Sequence, residues 1–431
     1  MAESVATGAF DAHRPPEQAL LDDCVHCGFC LDACPTYALW GEEPDSPRGR
    51  IVLIDEALNR SESLSEEIVT HLDRCLGCMA CVPACPSGVR YDQLLERARP
   101  QVERAHKRSA AEQAVRLLLF ETLPHPRRLR ALVPALAAAR RLGAEHLPER
   151  LAVLSKVAPR TPSRAERRRA IPAVTPAVGE PRGRVGLLLG CVQRVFYGEV
   201  HRATIGVLAA EGWEVVAPEA PDCCGALELH AGEEPAGVAR AEATIAAFGA
   251  AGDLDHIVVN AAGCGAAMKA YGDILETPVA RAFAGRVRDI TELLSDGPPR
   301  APRGPVPLRV AYHDACHLAH AQGVRAQPRE LLRAIPGLEL VEVEREPGIC
   351  CGSAGIYNVV QPAAGAELGA RKAAALLETG AEVIAAGNPG CAAQIERHLR
   401  EAGHPLPVQH PVELLWRSIG AAAEGAAPPG A

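Results

Sequence analysis

Beyond residue 185 the chain alternates short apolar runs with longer amphipathic stretches. "RVGLLLG", "WEVVAPE" and "HIVVNAAG" are four- to six-residue apolar runs, read as buried strands. Between them "EEPAGVARAEATIAAFGAAG" has the spacing of a helix. The order then recurs: "PLRVAYHD", "LELVEVER" and "EVIAAGNP" are strand-like, and "PAAGAELGARKAAALLETG" is helix-like. Strands separated by helices predict an α/β half with a largely parallel sheet. Upstream, "QVERAHKRSAAEQAVRLLLFETL" is helical in spacing, and the first hundred residues predict a mainly α-helical unit.

The recurrence extends to cysteines. Cys191, Cys223, Cys224 and Cys264 in the first copy are followed by Cys316, Cys350, Cys351 and Cys391 in the second. The separations are 125 residues for the first pair and 127 for Cys223–Cys350 and Cys264–Cys391. A shared period across matched positions marks an internal duplication. Each cysteine falls at or just beyond the end of a predicted strand, where open α/β sheets bind ligands. The adjacent pairs Cys223–Cys224 and Cys350–Cys351 are each followed by glycine. Neighbouring cysteines rarely meet disulfide geometry. The expected division is 1–17 disordered, 18–100 a cysteine-dense domain, and 101–184 a helical segment with a Pro/Arg-rich linker. The two copies then span 185–300 and 301–416, with 417–431 a disordered tail.

Composition narrows the function. Aromatic residues are 3% of the chain and the formal charge is -8, so neither base-stacking platforms nor a net basic footprint supports nucleic-acid binding. Charge is uneven: residues 101–184 hold 18 Lys/Arg against 7 Asp/Glu. Within them "HPRRLRALVPALAAARRL" has basic ends around an apolar centre. That pattern allows peripheral contact with the inner face of the cell membrane, although Pro134 is expected to interrupt it and a solvated connector is the alternative. No apolar run reaches the ~18 residues a span needs. The N-terminus lacks a signal-peptide pattern, so a cytoplasmic location is expected. There, sixteen cysteines point to metal or redox chemistry rather than disulfides.

Two runs carry the sharpest signal. "CVHCGFCLDACP" sets Cys24, Cys27, Cys30 and Cys34 in C-x2-C-x2-C-x3-C-P, and "CLGCMACVPACP" repeats it with Cys75, Cys78, Cys81 and Cys85. This is the spacing of bacterial ferredoxins, in which the fourth cysteine of each run ligates the other run's cluster. Cys24, Cys27, Cys30 and Cys85 are therefore assigned to one [4Fe–4S] cluster, and Cys75, Cys78, Cys81 and Cys34 to the second. Structural zinc favours paired rather than triple runs. Between the runs, "PDSPRGRIVLIDEAL" is expected to pack over the clusters as helix and loop. Arg48 and Arg50 there either approach the clusters or remain solvated.

With "CVHCGFC", "DSPRGRI", "HLDRCLGC", "CPSGVRYDQLL", "AGCGAAMKAYG", "CCGSAG" and the "NPGC" ending, the chain resembles the iron–sulfur subunit family of glycolate oxidase (glycolate dehydrogenase) over about residues 20–416. The duplicated half resembles the CCG cysteine-rich domains of heterodisulfide reductase. The resemblance implies an electron-transfer subunit. Flavin-containing partner subunits would oxidise glycolate to glyoxylate, and electrons would pass on to a quinone or other acceptor. Related complexes serve lactate utilisation and anaerobic glycerol-3-phosphate oxidation, and disulfide reduction at the CCG cysteines is a further alternative. One departure stands out. Full CCG motifs end in C-x2-C, whereas Ala261 precedes Cys264 and Asn388 precedes Cys391 at that place. Four cysteines per copy leave open whether a further cluster is held, or whether some of the eight are core residues.

His313, His317 and His320 flank Cys316, and His230 follows the first CCG; each is a candidate to tune or replace a thiolate, against a solvated or capping role. The chain has no G-x-G-x-x-G after a strand and no P-loop, so neither FAD nor NAD is expected on it. Anaerobically prepared protein is expected to be coloured, with iron and acid-labile sulfide. Zinc without iron would support a scaffold protein instead.

Overall fold

The structure, a computed structural model, describes residues 8–142 and 158–425. Its first third is helical. Helix Pro47–Asn59 starts where the Ser46 hydroxyl accepts from the Gly49 N–H and Pro47 supplies a pre-set φ. It buries Ile51, Ile54 and Ala57. Gly49 is required by packing, since a Cβ there would sit 1.9 Å from the Glu43 carbonyl oxygen. Helix Glu66–Arg74 is capped by Ser65, with Glu66 and Glu67 in its first turn and His71 and Arg74 in its last, as the helix dipole favours. These helices and Tyr91–Ala105 enclose one core with Leu72, Leu94 and Leu95.

The stretch before them departs from expectation. Disorder is expected for residues 8–17, yet Phe10 is buried in that core. The Ala9 N–H donates to the Ala57 carbonyl at 2.8 Å, and Arg104 pairs with Asp11. Residues 1–7 lie outside the described residues.

The connecting region is also more ordered than its composition suggests. Ser109 and Glu112 form a capping box for helix Ala110–Thr122. Helix Pro126–Leu142 runs through Pro134, the residue expected to break it. Leu129 and Val133 on its apolar face are buried against Val195 and Phe196 of the first copy. Part of the apolar centre is thus covered by protein, while Leu132 stays 39% exposed. Among the described residues no helix is long and apolar enough to cross one. Within the Pro-rich stretch, expected to be an extended linker, β1 (Val174–Thr175) adds an antiparallel edge to the first sheet. Prolines at 172 and 176 flank it, as suits an edge strand.

The first sheet continues with β2 (Gly183–Leu187), β3 (Trp213–Val216), β4 (His256–Val259) and β5 (Val287–Asp289), in the order β1-β3-β2-β4-β5. The second has β6 (Arg309–His313), β7 (Glu339–Val341), β8 (Val383–Ala386) and β9 (Val408–Gln409), in the order β7-β6-β8-β9. Every pairing except β1–β3 is parallel, with Val185 opposite Val215 and Val310 opposite Val383. All four residues of β8 are buried, as a strand covered on both faces requires. In both sheets the strand order reverses beside the first strand of the copy, between β2 and β4 and between β6 and β8.

The copies, expected to be separate domains, share one core. It contains Val185, Leu187 and Val258 of the first with Val310, Tyr312 and Ala385 of the second. Helix Pro411–Gly425 closes it by packing on helix Gly198–Ala210 of the first copy. Residues 417–425, expected to lie in a disordered tail, belong to this helix. Ser418 is fully buried and its hydroxyl donates to the Gly304 carbonyl at 2.8 Å. Residues 426–431 lie outside the described residues. Leu414→Ala should destabilise both copies together by about 2–5 kcal/mol, seen as one denaturant transition moved to lower concentration. Two separated transitions would refute the shared core.

Candidate metal centres

The two cysteine runs fold alike. In the first, His26 and Gly28 have positive φ (52° and 90°), and in the second Gly77 and Met79 do (64° and 59°). Two left-handed residues per loop curl the chain around its first three thiols. At His26 and Met79 this conformation costs about 1–3 kcal/mol each, so the surroundings must hold it. Arg48 does so in the first loop, donating to the His26 carbonyl at 2.9 Å.

Cys34, at the N-terminus of helix Pro35–Trp40, does not close on its own run. It lines a small cavity with Cys75, Cys78 and Cys81 of the other run, together with Arg50 and Tyr91. Cys24 is an electrostatic neighbour of Cys30. Cys85 caps helix Cys81–Ala84 and packs on the core that carries Cys24 and Cys30. Cys27 is exposed.

Charge around the cavity is arranged for thiolates. Arg50 is 1% exposed. It donates to the carbonyls of His71 (2.7 Å) and Asp45 (2.6 Å) and to the Thr36 hydroxyl (3.0 Å). Its charge is opposed by burial, but Cys75, Tyr91, Cys34 and Asp45 outweigh that and hold its pKa above the ordinary value. Burial likewise opposes ionisation of Cys75, yet Arg50 and Arg99, the Gly77 N–H and the Tyr91 hydroxyl bring its thiol below the usual range. At Cys78 and Cys81 burial, followed by neighbouring thiols, raises both, and at Cys78 the Ala80 N–H does not offset it. Loading a metal centre here must therefore displace protons. His71, Asp45 and Glu42 also cluster, but Asp45 already pairs with Arg50, Arg74 and His71.

In the duplicated half all eight cysteines assemble, four per copy. Cys191, Cys223, Cys224 and Cys264 form a chain of thiol contacts at the C-terminal ends of β2, β3 and β4. Cys316, Cys350, Cys351 and Cys391 do the same beyond β6, β7 and β8. The neighbouring thiol, then burial, raises Cys191 and Cys316 well above the ordinary thiol value. The glycine after each pair makes the bend. Gly225 and Gly352 have φ of 79° and 80°. A Cβ would also stand 2.8 Å from the Gly237 carbonyl oxygen in the first copy and 2.6 Å from that of Gly365 in the second. Thiols alone, gathered in fours in a buried crevice, are the donor set of iron–sulfur centres.

The second copy's group abuts the ferredoxin-type half. Cys316 and Cys350 are electrostatic neighbours of Cys78, and Leu76 packs with Cys350, Tyr357 and Leu368. His317 Nε2 donates to the Gly77 carbonyl at 2.8 Å and Tyr357 donates to that of Arg74 at 3.1 Å. The His230 ring meets His317 edge-on at 4.7 Å. His320 contacts Arg325. His317 and His230 sit where two segments meet, whereas His320 caps the C-terminus of helix Cys316–Ala319. Asn388, in place of a fifth cysteine, donates to Cys391 Sγ at 3.5 Å and accepts from the Gly263 N–H of the first copy. His313 is buried and held neutral, its pKa driven by burial to about 3. No sequence period marks the Cys78–Cys316 approach, so sequence reasoning does not find it.

Comparison with known proteins agrees with this layout. Residues 20–89 match the 4Fe-4S dicluster domain family, and residues 185–269 and 310–396 match the cysteine-rich CCG domain. Residues 111–167 match the linker region of the glycolate oxidase iron-sulfur subunit. The chain is 35% identical over 428 residues to the probable glycolate oxidase iron-sulfur subunit of Bacillus subtilis, covering 94% of this chain and 96% of that one. It is 35% identical over 411 residues to the glycolate oxidase iron-sulfur subunit of Escherichia coli, covering 93% and 95%. A subunit of the CoM/CoB fumarate reductase of Methanothermobacter marburgensis is 34% identical over 245 residues, 56% of this chain and 47% of that one.

Gly352→Ala is expected to empty the second copy's thiol group while sparing the ferredoxin-type half. Iron counting should show a partial loss with the ferredoxin-type spectral features retained. Full iron retention would show that the bend does not matter.

Proposed function

The chain belongs to the family of glycolate oxidase iron–sulfur subunits, and from that premise we propose that it relays electrons within a glycolate dehydrogenase complex. A flavin-containing partner oxidises glycolate to glyoxylate, and this chain passes the electrons toward a quinone or other acceptor. Cys24, Cys27, Cys30 and Cys85 hold one [4Fe–4S] cluster, and Cys75, Cys78, Cys81 and Cys34 hold the second. The two CCG groups hold further iron–sulfur centres. Bound there, the clusters supply one-electron carriers. The protein's own part is to bury them, set their charge environment and bring them close.

The observation that carries this reading is the meeting of Cys78 with Cys316 and Cys350 across the boundary between the two halves. A metal-binding scaffold has no need to bring two thiol groups together; a relay does. Burial of Cys350 and Cys351 also disfavours disulfide reduction, which needs a thiol that a substrate can reach.

The entry point follows from comparing the two runs. Leu76 and Ala80 of the second are buried, with Leu76 against the second CCG copy. Their counterparts Val25 and Phe29 are 68% and 67% exposed, on either side of exposed Cys27. The outer face of the first loop is therefore the counterpart of one already covered, and the flavin subunit docks there.

Co-purification with the flavin subunits, followed by dye reduction with glycolate, lactate and glycerol-3-phosphate, tests the reading. Glycolate is the expected substrate, and activity confined to another donor would overturn it. Phe29→Glu should cut glycolate-dependent reduction about tenfold or more with iron content unchanged.

A further inference from the structure

The two CCG groups are alike in their thiols and unlike in what surrounds them. At the end of β6 the imidazole of His313 is 1% exposed, and neither Nδ1 nor Nε2 has a hydrogen-bond partner. A buried polar group left unpaired is destabilising, so an orphan of this kind calls for a partner. One ring nitrogen of His313 and the sulfurs of Cys351 and Cys391 all lie within 4.8 Å of one another. His313 is in register with Ala386 on β8, at the place where the strand order reverses and the ligand crevice opens. In the first copy Leu188 stands at this position and offers no donor.

Two more differences point the same way. Lys372 is 1% exposed, with Nζ donating to the carbonyls of Glu346 (3.3 Å) and Pro347 (3.1 Å), and its charge acts on Cys351 and Cys350. Its counterpart is Thr244. The Asn388 amide donates to Cys391 Sγ, where the first copy has Ala261.

We infer that His313 is a nitrogen ligand to the iron–sulfur centre of the second copy, acting beside Cys351 and Cys391, so that the two copies hold centres of unlike ligation. The inference rests on the reading of the CCG cysteines as cluster ligands. Replacing thiolate by neutral imidazole removes negative charge from iron and raises its reduction potential. A nearby ammonium and an N–H on sulfur act in the same direction. The second centre is then the better electron acceptor of the two.

The test uses the holoprotein labelled with 15N-histidine, reduced and examined by pulsed EPR, with iron counting and a redox titration. The expected result is a strong histidine-nitrogen coupling that disappears in His313→Leu. His313→Cys should retain iron and titrate at a lower potential than the wild type. The ferredoxin-type signals, unchanged in each variant, report that the chain is folded. A further centre present without histidine coupling, and with the same potential in all three proteins, would overturn the ligand assignment and leave the CCG reading intact. Iron and signals accounting for the ferredoxin-type clusters alone would overturn both.

Discussion

Buried negative charge is the constraint around which this molecule is built, and Arg50 is where the constraint is met first. A buried ion is tolerated only when its partners are close and its hydrogen bonds complete. Arg50 is 1% exposed and Asp45 fully buried, and together they tie the segments around Thr36, Ser46 and His71 into one frame. That frame carries Cys34 and Cys75 into the same cavity. The same arginine that holds three backbone segments also favours the ionised form of Cys75, so folding and metal-site electrostatics are one interaction here. Arg99 extends it by donating to the Cys75 carbonyl at 2.6 Å. In the second CCG copy Lys372 is the buried cation beside Cys350 and Cys351, but there burial prevails: it lowers the Lys372 pKa, and neighbouring thiols with burial keep both cysteines raised.

Symmetry and its breaking explain the rest. Each half of the molecule is built twice: two cysteine loops with matching left-handed residues, and two sheets with matching thiol groups. In each pair one member faces inward. The second loop is pressed against the second CCG copy through Leu76, Gly77 and Cys78, while the first loop shows Val25, Cys27 and Phe29 to solvent. Among the sheets, the second carries His313, Lys372 and Asn388 where the first carries Leu188, Thr244 and Ala261. Duplication supplies the repeated thiol groups, and divergence of a few neighbours makes them unequal.

Much of this is legible in the residues alone, for physical reasons that can be named. Strands such as "HIVVNAAG" are buried on both faces and so read as unbroken apolar runs. The C-x2-C-x2-C spacing is a local property of a curled loop. What stays hidden in the sequence depends on distant packing. Pro134 does not break its helix, because Leu129 and Val133 are anchored on Val195 and Phe196. Residues 8–17 look polar and unstructured, but Phe10 in the core, the Ala9–Ala57 hydrogen bond and the Asp11–Arg104 pair fix them. "GAAAEG" has little apolar character and reads as a tail, although Val412, Leu415 and Ile419 before it recur at helical spacing and carry the helix on. His313 is visible as one of three histidines in "YHDACHLAH". That it alone of them has both nitrogens buried and unpartnered follows from its place on a central strand.

The closing helix Pro411–Gly425 bears on how the chain is made. Synthesis runs from the N-terminus, and domains usually fold as they emerge. Here the first CCG copy is complete in sequence by about residue 300, yet the face of helix Gly198–Ala210 stays bare until residues 411–425 have been made. Gly206, which leaves room for the Trp416 ring, waits through some two hundred residues of synthesis for its neighbour. The first copy is therefore translated before the second but closed only after it, and its four thiols spend that interval in an incompletely closed fold.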